Sequence, residues 1–364
     1  MQLEQLRLRN FRCFSETQLE FHPDLNWIVG QNASGKTSLL EALFFLGHGR
    51  SFRSNRPDRL VQSEAGSFEI VARLRRDGRQ QTLGVGRKEG ATTARLAGET
   101  LQSMTQAAKV LPVVVLDSGM NQLIAGGPGE RRRWLDWGVF HVEHHFLETW
   151  RSYQQALRQR NMALRSGASE RTIAPWTSAV ASAGGELSSL RLKYFEALRS
   201  GFVEYSGIAL PGVSLEADYR RGWSQDETLQ ESLHRHLARD RETGNTRSGP
   251  HRADIQFRIE GMPAEERLSR GQQKMLAGAL WLAQVNRFTQ KTGQRPLLLV
   301  DDLAAELDGD NLVRFLELLR RQNAQLVLTA IGDADINRTG LTEGHVFHVE
   351  HGKVSGGATP DGSL

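Results

Sequence analysis

Cysteine is almost absent from this chain of 364 residues, since Cys13 is the only one. One cysteine excludes an intramolecular disulfide, and nothing else suggests an oxidising compartment. The chain also lacks any apolar run close to the length of about 20 residues that a membrane-spanning helix requires. Residues 1–12 alternate apolar and charged side chains, unlike a secretion signal. We therefore expect a soluble cytoplasmic protein with no membrane partner, large enough for about two domains.

Lysine is scarce as well, with 7 lysines against 39 arginines among the 46 basic residues. The net charge is only +4, but residues 1–135 carry 19 basic and 13 acidic residues, whereas residues 141–245 carry 13 of each. Guanidinium groups pair bidentately with phosphate, either of a nucleotide or of DNA, although any single arginine outside a motif can equally be surface charge. Two arginine clusters are therefore candidates for DNA contact: Arg53, Arg56 and Arg59, and Arg131, Arg132 and Arg133.

One of the few lysines lies in a phosphate-binding motif of the form G-x-x-x-x-G-K-[ST]. An apolar run, 25–29, precedes the motif and a helix-like stretch, 38–46, follows it, which is the context that such a loop requires. Backbone N–H groups and the lysine bind the phosphates, and the threonine hydroxyl is a ligand of Mg²⁺. We predict binding of ATP with Mg²⁺ by Gly30, Gln31, Asn32, Ala33, Ser34, Gly35, Lys36, Thr37 and Ser38.

Two consecutive acids follow a second apolar run, residues 297–300. In P-loop ATPases an acid at the end of a buried strand lies beside the phosphate loop and holds Mg²⁺. A lone acid at this position could cap a turn, but two acids favour a metal site. We expect Asp301 to bind Mg²⁺ together with Thr37, and Asp302 to be the base for the attacking water.

A third motif, with Ser269, Gly271 and Gln272, precedes a predicted helix at 272–288. Ser269 has the character of an N-cap, and Gly271 allows backbone N–H groups to approach an anion. The phosphate loop, this motif, the paired acids and a later Leu307-Asp308 occur in the order that resembles the ATP-binding cassette (ABC) superfamily.

Within that superfamily, nearly the whole chain resembles the RecF family of bacterial recombination mediators. The string Gly249-Pro250-His251-Arg252-Ala253-Asp254 is the most diagnostic segment, because transporter ATPases lack it. The other segments that carry the resemblance are Asn10-Phe11-Arg12, Gly35 to Ala42, Arg50 to Arg53, Gly127 to Arg132, Leu135-Asp136, and Asp301-Asp302 with Glu306-Leu307-Asp308.

The resemblance implies an α/β fold: an ABC-type P-loop ATPase head, with a mixed sheet and flanking helices, and an inserted helical arm lobe. The head would comprise residues 1–135 and 246–364, and the lobe residues 136–245. It also implies that two subunits sandwich ATP, each phosphate loop facing Ser269, Gly271 and Gln272 of the other, and that Arg12 contributes to the nucleotide site. The expected activity is weak, DNA-stimulated ATP hydrolysis with no chemistry on DNA itself.

The implied function is an ATP-dependent switch in recombinational repair, replication-fork recovery and the SOS response. Its dimer would close on gapped, single-stranded or junction DNA and promote recombinase loading with RecR and RecO. Two alternatives remain: an ABC transporter ATPase subunit, and another ATPase head of the SMC or Rad type. The long helical segment argues against the first, and the separation between Lys36 and Ser269 is too short for the long coiled coil of the second.

Three departures from the related patterns are informative. Ala33 stands where the family more often has glycine, a change that the backbone tolerates if φ is negative there. Residues 116–120 match a family segment only loosely. Asp302 and Thr329 stand where transporters use glutamate and histidine, which predicts slow hydrolysis.

Overall fold

A computed structural model describes residues 1–302 and 307–357. The chain forms two compact units: Met1–Met120 together with the chain from Thr292 onward, and Asn121–Lys291. The boundaries between these units, after residues 120 and 291, differ from the predicted boundaries after residues 135 and 245. The assignment of residues 1–135 and 246–364 to a head, and of residues 136–245 to a lobe, remains a prediction. Glu306 of the family motif lies outside the described residues.

The strands are short to medium in length and occur in both units. They are β1 (Gln2–Phe11), β2 (Phe14–Glu20), β3 (Leu25–Val29), β4 (Ser67–Arg76), β5 (Arg79–Lys88), β6 (Ala91–Leu96), β7 (Glu99–Thr100), β8 (Val113–Leu116), β9 (Leu215–Arg220), β10 (Asp254–Ile259), β11 (Met262–Pro263), β12 (Leu297–Val300), β13 (Gln325–Ala330), β14 (His345–Glu350) and β15 (Lys353–Gly356).

The helices range from one turn to 40 residues. They are α1 (Lys36–His48), α2 (Met104–Val110), α3 (Gln122–Ala125), α4 (Pro128–Val142), α5 (Phe146–Arg165), α6 (Glu170–Ala209), α7 (Leu229–Arg235), α8 (Leu237–Thr243), α9 (Ala264–Arg267), α10 (Arg270–Thr292), α11 (Gly309–Arg320) and α12 (Asp333–Thr339). Short 3-10 helices occur at Pro57–Leu60 and Pro250–Arg252. Among the described residues, no helix combines the length and apolar composition needed to cross a bilayer.

The first unit contains two six-stranded sheets. One has the order β2-β1-β4-β5-β6-β7, and its paired strands are all antiparallel. The other has the order β15-β14-β3-β13-β12-β8, in which the β14–β3–β13–β12–β8 pairs are parallel and β15 is antiparallel. This second sheet is the mixed sheet of the predicted α/β fold.

Helix α1 packs against β4 and β5 of the antiparallel sheet and against β8 and β13 of the mixed sheet. Ten of its 13 residues are buried, including the whole run Leu39–Gly47. A helix with buried, mainly apolar residues on all sides belongs inside a core, and α1 is covered on two faces. Because α1 directly follows the phosphate loop, the most buried helix of the unit fixes the position of that loop.

The second unit is built on helices that pack against a small antiparallel sheet of order β11-β10-β9. Helices α5 and α6 pack along each other, and α4 contacts both α6 and β10. Trp134, on α4, is 1% exposed and lies in contact with the rings of Phe202, Phe257 and Trp281. Most aromatic residues of this unit are buried, as their helical spacing predicts, but Trp150 in α5 is 37% exposed.

The helix boundaries differ from the prediction in two places. The apolar spacing from residue 142 to 157 predicts one helix, but the chain breaks at 143–145 between α4 and α5. The sequence of residues 226–241 predicts one helix, and this prediction is wrong, because two short helices, α7 and α8, meet at His236. Thr228 and Glu231 form a capping box that starts α7, and such local bonds decide where a short helix begins.

Candidate functional site

The phosphate loop connects the end of β3 to the start of α1, in the setting that the motif requires. The backbone N–H of Gly30 donates to the carbonyl of Ala330 at 3.1 Å, which anchors the loop to β13. A Cβ at Gly30 would lie 2.3 Å from the Val349 carbonyl oxygen, and Gly35 has a φ of 121°. Both positions therefore require glycine for this loop to form.

Ala33 has a φ of +63°. Alanine fits here without strain only at a negative φ, and the structure does not meet that condition. A non-glycine residue in the left-handed region costs roughly 1–2 kcal/mol because Cβ approaches the following carbonyl oxygen. The loop therefore holds local strain that the glycine typical of the family would not have.

Two polar side chains of the loop, Lys36 and Ser34, are buried, whereas Gln31 and Asn32 are exposed. Lys36 is 4% exposed, and its Nζ donates to the carbonyls of Gly30 at 2.8 Å and Gln31 at 3.3 Å. Ser34 is buried, and its Oγ has no hydrogen-bond partner within the described part of the chain. A buried ammonium group and an unsatisfied hydroxyl at one curled loop fit a phosphate chain, which would accept from both.

The acidic pair lies at the carboxyl end of β12, in the same sheet as β3. Strand β12 pairs with β8 in the register Val300 to Leu116, and the N–H of Asp301 continues that ladder by donating to the Leu116 carbonyl at 2.9 Å. Burial raises the pKa of the Asp301 carboxyl, while hydrogen bonds from the Thr329 and Thr37 side chains lower it. The structure thus brings together Thr37 and Asp301, the two predicted Mg²⁺ ligands.

The donor set fits Mg²⁺ rather than a metal bound entirely by protein. No group of three or more histidine, cysteine or acidic side chains in residues 1–302 and 307–357 could hold a metal ion. Mg²⁺ is usually bound through one or two carboxylates together with substrate phosphates and water. One carboxylate, Asp301, and one hydroxyl, Thr37, beside a phosphate loop match this pattern.

Asp302 leaves the strand ladder in an unusual conformation, with a φ of 49°. Its backbone N–H donates to Oγ1 of Thr329 at 2.7 Å, and the same hydroxyl donates to Oδ1 of Asp301 at 2.8 Å. Oδ1 of Asp302 lies 3.2 Å from the hydroxyl oxygen of Thr329. The two acids are therefore held by a single residue of the neighbouring strand β13.

Asp117 is a member of this edge that the sequence analysis did not select. It follows Leu116 at the end of β8, as Asp301 follows Val300 at the end of β12. Burial raises the pKa of its carboxyl and the charge of Arg53 lowers it, while its own charge raises the pKa of Asp301. The available signal was the one that revealed Asp301, an acid directly after a buried apolar strand.

Arg12 binds a carboxylate of α1. Its Nε and Nη2 donate to the two oxygens of Glu41 at 2.7 and 2.8 Å, and its Nη1 donates to the Arg59 carbonyl at 3.1 Å. Glu41 is fully buried and also accepts from Ser51. Contact of Arg12 with nucleotide remains a prediction. The structure shows that Arg12 ties α1 to the loop that presents Arg53, Arg56 and Arg59, whose side chains are exposed.

The second arginine cluster has partners within its own unit. Arg131 donates to both carboxylate oxygens of Asp254 at 2.7 and 3.2 Å, and Arg132 donates to the Ala253 carbonyl at 2.7 Å. Arg133 is exposed and pairs with Glu130. DNA contact by these three residues stays a prediction, but two of them already bind the diagnostic string.

The diagnostic segment, residues 249–254, makes several hydrogen bonds to other parts of this unit. His251 accepts at Nδ1 from the Tyr153 hydroxyl at 2.6 Å, and its Nε2 donates to the Thr246 carbonyl at 2.9 Å. Burial lowers the pKa of His251 to about 4, so the neutral ring fits both bonds. Arg191 reaches the Pro250 carbonyl at 2.8 Å and both oxygens of Asp136.

The helix start with Ser269, Gly271 and Gln272 is accessible from outside. The Gln272 N–H donates to Oγ of Ser269 at 3.3 Å, and the Ser269 N–H donates to Oε1 of Gln272 at 3.0 Å. This reciprocal pattern is a capping box, and it fixes the first turn of α10. All three residues are exposed, as a site that receives a phosphate from another subunit requires.

Comparisons with known proteins decide the family. The family model of the RecF/RecN/SMC N-terminal domain matches residues 2–354. The DNA replication and repair protein RecF of Proteus mirabilis (strain HI4320) is 36% identical over 358 residues, which cover 97% of this chain and 99% of that protein. The chain belongs to the RecF family. This confirms the resemblance deduced from the motifs and sets aside a transporter subunit.

Solved structures agree with this assignment. The chain is similar to the recombination mediator protein RecF with ATP in the RecFOR pathway, with a TM-score of 0.87, 26% identity and 98% of each chain covered. It also resembles an Smc head bound to the C-winged helix domain of ScpA, with a TM-score of 0.62, 16% identity, and 99% of this chain and 98% of that chain covered. The latter likeness concerns the fold alone. The predicted ABC-type ATPase head of this RecF-family chain is thus confirmed.

Proposed function

We propose that this RecF-family chain is an ATP-dependent DNA-binding switch in replication and repair. ATP closes a symmetric dimer on gapped, single-stranded or junction DNA, and the closed dimer promotes recombinase loading with RecO and RecR. The observation that carries the proposal is that the phosphate loop after β3 and the acidic pair after β12 lie at the same edge of one sheet, on either side of β13. At this edge the side chain of Thr37 lowers the pKa of the Asp301 carboxyl. ATP in the similar RecF structure supports the choice of nucleotide.

Different residues of the first unit would bind the phosphates, the metal ion and the attacking water. Loop N–H groups, Lys36 and Ser34 would bind the phosphates, while Thr37 and Asp301 would hold Mg²⁺. Mg²⁺, when bound, neutralises charge on the phosphate oxygens. Asp302 orients a water and accepts its proton. Aspartate is shorter than the glutamate of transporters, so we expect slow turnover that times the opening of the dimer.

The exposed start of α10 supports the proposed dimer. A helix N-terminus presents unpaired N–H groups and the positive end of the helix dipole, which favour an anion. A two-fold dimer would bring each such terminus to the partner's bound ATP, so the γ-phosphate would join the two subunits. Hydrolysis would then remove the group that the interface depends on.

DNA would be bound through its backbone. The exposed side chains of Arg53, Arg56 and Arg59 lie on one loop of the first unit, and arginine suits phosphate oxygens. Contacts of this kind fix position without reading sequence, and the resulting affinity falls steeply as salt rises.

Sedimentation velocity of the full chain tests the proposal. The expected result is a monomer without nucleotide, a dimer with ATP and Mg²⁺, and co-sedimentation of a gapped duplex in the ATP state. Lys36→Ala is the matched control, since it lacks the ammonium group of the loop and should stay monomeric. A sedimentation coefficient that ATP does not change in the wild-type protein would contradict the switch.

A further inference from the structure

Thr329 forms hydrogen bonds to both acids, Asp301 and Asp302, that follow strand β12 of the mixed sheet. It lies in β13, between β3, which carries the phosphate loop, and β12, which carries Asp301 and Asp302. Its side chain is 1% exposed. Its hydroxyl makes the hydrogen bonds to the backbone of Asp302 and the carboxylate of Asp301 described above, and no other described side chain bonds to both acids.

We propose that Thr329 is a positioning residue for ATP hydrolysis, whose hydroxyl fixes the turn at Asp302 and so separates the tasks of the two acids. The proposal deepens the proposed function and rests on it. Thr329 would act through its hydrogen bonds to the two acids.

The backbone explains why such a residue is needed. The N–H of Asp301 stays in the sheet by donating to the Leu116 carbonyl, but the N–H of Asp302 turns out of the ladder at a φ of 49°. A left-handed residue other than glycine persists only when its surroundings hold it. A backbone N–H that is shielded from water needs a hydrogen-bond acceptor. Oγ1 of Thr329 supplies that partner at 2.7 Å.

The hydroxyl also distinguishes the two carboxylates. It has one proton to donate, and Oδ1 of Asp301 at 2.8 Å is nearer than Oδ1 of Asp302 at 3.2 Å. Donation to Asp301 leaves Asp302 with its lone pairs available for water. The histidine that transporters use at this position would not offer one oxygen that both accepts from the backbone and donates to the acid.

The test compares Thr329→Val, which removes the hydroxyl at nearly constant volume, with Thr329→Ser, which keeps it. In Thr329→Val we expect kcat to fall about 10- to 100-fold, because a displacement of about 1 Å at a catalytic group has an effect of this order. The Kd of a fluorescent ATP analogue should change by less than about threefold, since an effect confined to kcat is the mark of lost positioning. Thr329→Ser should restore kcat.

Hydrogen–deuterium exchange provides a readout without nucleotide. In overlapping peptides that resolve the Asp302 amide, exchange should be faster in Thr329→Val than in the wild type and normal in Thr329→Ser. Thr329→Ala serves if the valine variant does not fold, because the smaller side chain leaves room for water at the Asp302 N–H. The alanine variant should show the same fall in kcat.

The outcomes are separable. A Thr329→Val or Thr329→Ala protein with wild-type kcat would overturn the inference, as would a parallel loss of turnover in Thr329→Ser. Unchanged exchange at Asp302 would also contradict it. Absence of ATP turnover in the wild-type protein would instead contradict the proposed function, while the exchange measurement would still test the hydrogen bond.

Discussion

The buried pair of Arg12 and Glu41 allows a quantitative prediction. Glu41 is fully buried, and the Arg12 side chain is 24% exposed. The substitution Arg12→Gln removes the cation and leaves a buried carboxylate with Ser51 as its remaining side-chain partner. Removing one member of a buried pair typically costs 3–5 kcal/mol, and we expect about 3 kcal/mol because water can reach the space of the partly exposed arginine.

This loss should appear in thermal denaturation. A change of 1 kcal/mol shifts Tm by about 2–4 °C in domains of roughly 150–250 residues, so Arg12→Gln should lower the Tm of the first unit by about 6–12 °C. The exposed pair of Arg7 and Glu16, with 54% and 63% of the side chains accessible, offers a matched control. Arg7→Gln should change stability by less than about 1 kcal/mol.

A double-mutant cycle separates the pair from its surroundings. Because Arg12→Gln leaves a charge buried, adding Glu41→Gln should recover part of the loss, with a coupling energy of about 1–3 kcal/mol. Additive effects of the two substitutions, or a Tm of Arg12→Gln equal to that of Arg7→Gln, would refute the reasoning. The loop that carries Arg53, Arg56 and Arg59 should also lose protection from exchange in Arg12→Gln.

Two further predictions concern the phosphate loop and the acids. Ala33→Gly should stabilise the protein by about 0.5–1 kcal/mol in calorimetry, since relief of the left-handed strain exceeds the added entropy of the unfolded chain. The control, Ala108→Gly in helix α2, should destabilise the protein by about 1 kcal/mol. A lower Tm for Ala33→Gly than for the wild type would contradict the strain. Asp302→Asn should retain ATP binding and accumulate an ATP-bound dimer, because the attacking water loses its base. Size-exclusion chromatography with ATP measures the dimer. A monomer at saturating ATP would count against the proposed clamp.

Much of the first unit could be predicted from sequence because its signals are local. Leu297–Val300 is an uninterrupted apolar run, and Leu25–Val29 is apolar except for Asn26; both are strands with the predicted bounds. The phosphate loop follows one run and the acids follow the other, so the register of a parallel sheet brings Thr37 and Asp301 to the same edge.

Other features depend on contacts that sequence patterns do not reveal. The φ of Ala33 is set by the curvature of the loop between β3 and α1, which overrides the preference of alanine. The pairing of Arg131 with Asp254 joins residues 123 positions apart. The sequence pattern does not reveal this partner, so the arginine cluster predicted contact with DNA instead. The division of residues 226–241 into α7 and α8 depends on caps rather than on apolar period.

The central claim is that one ATP is held by the phosphate loop of one subunit and by the Ser269 helix start of its mate. Mixing Lys36→Ala with Ser269→Arg tests it most directly, by sedimentation velocity with ATP and Mg²⁺. Each variant alone should stay monomeric, whereas the mixture should form a heterodimer, because one of its two sites combines an intact loop with an intact helix start. A mixture that stays monomeric while the wild-type protein dimerises would contradict the shared site.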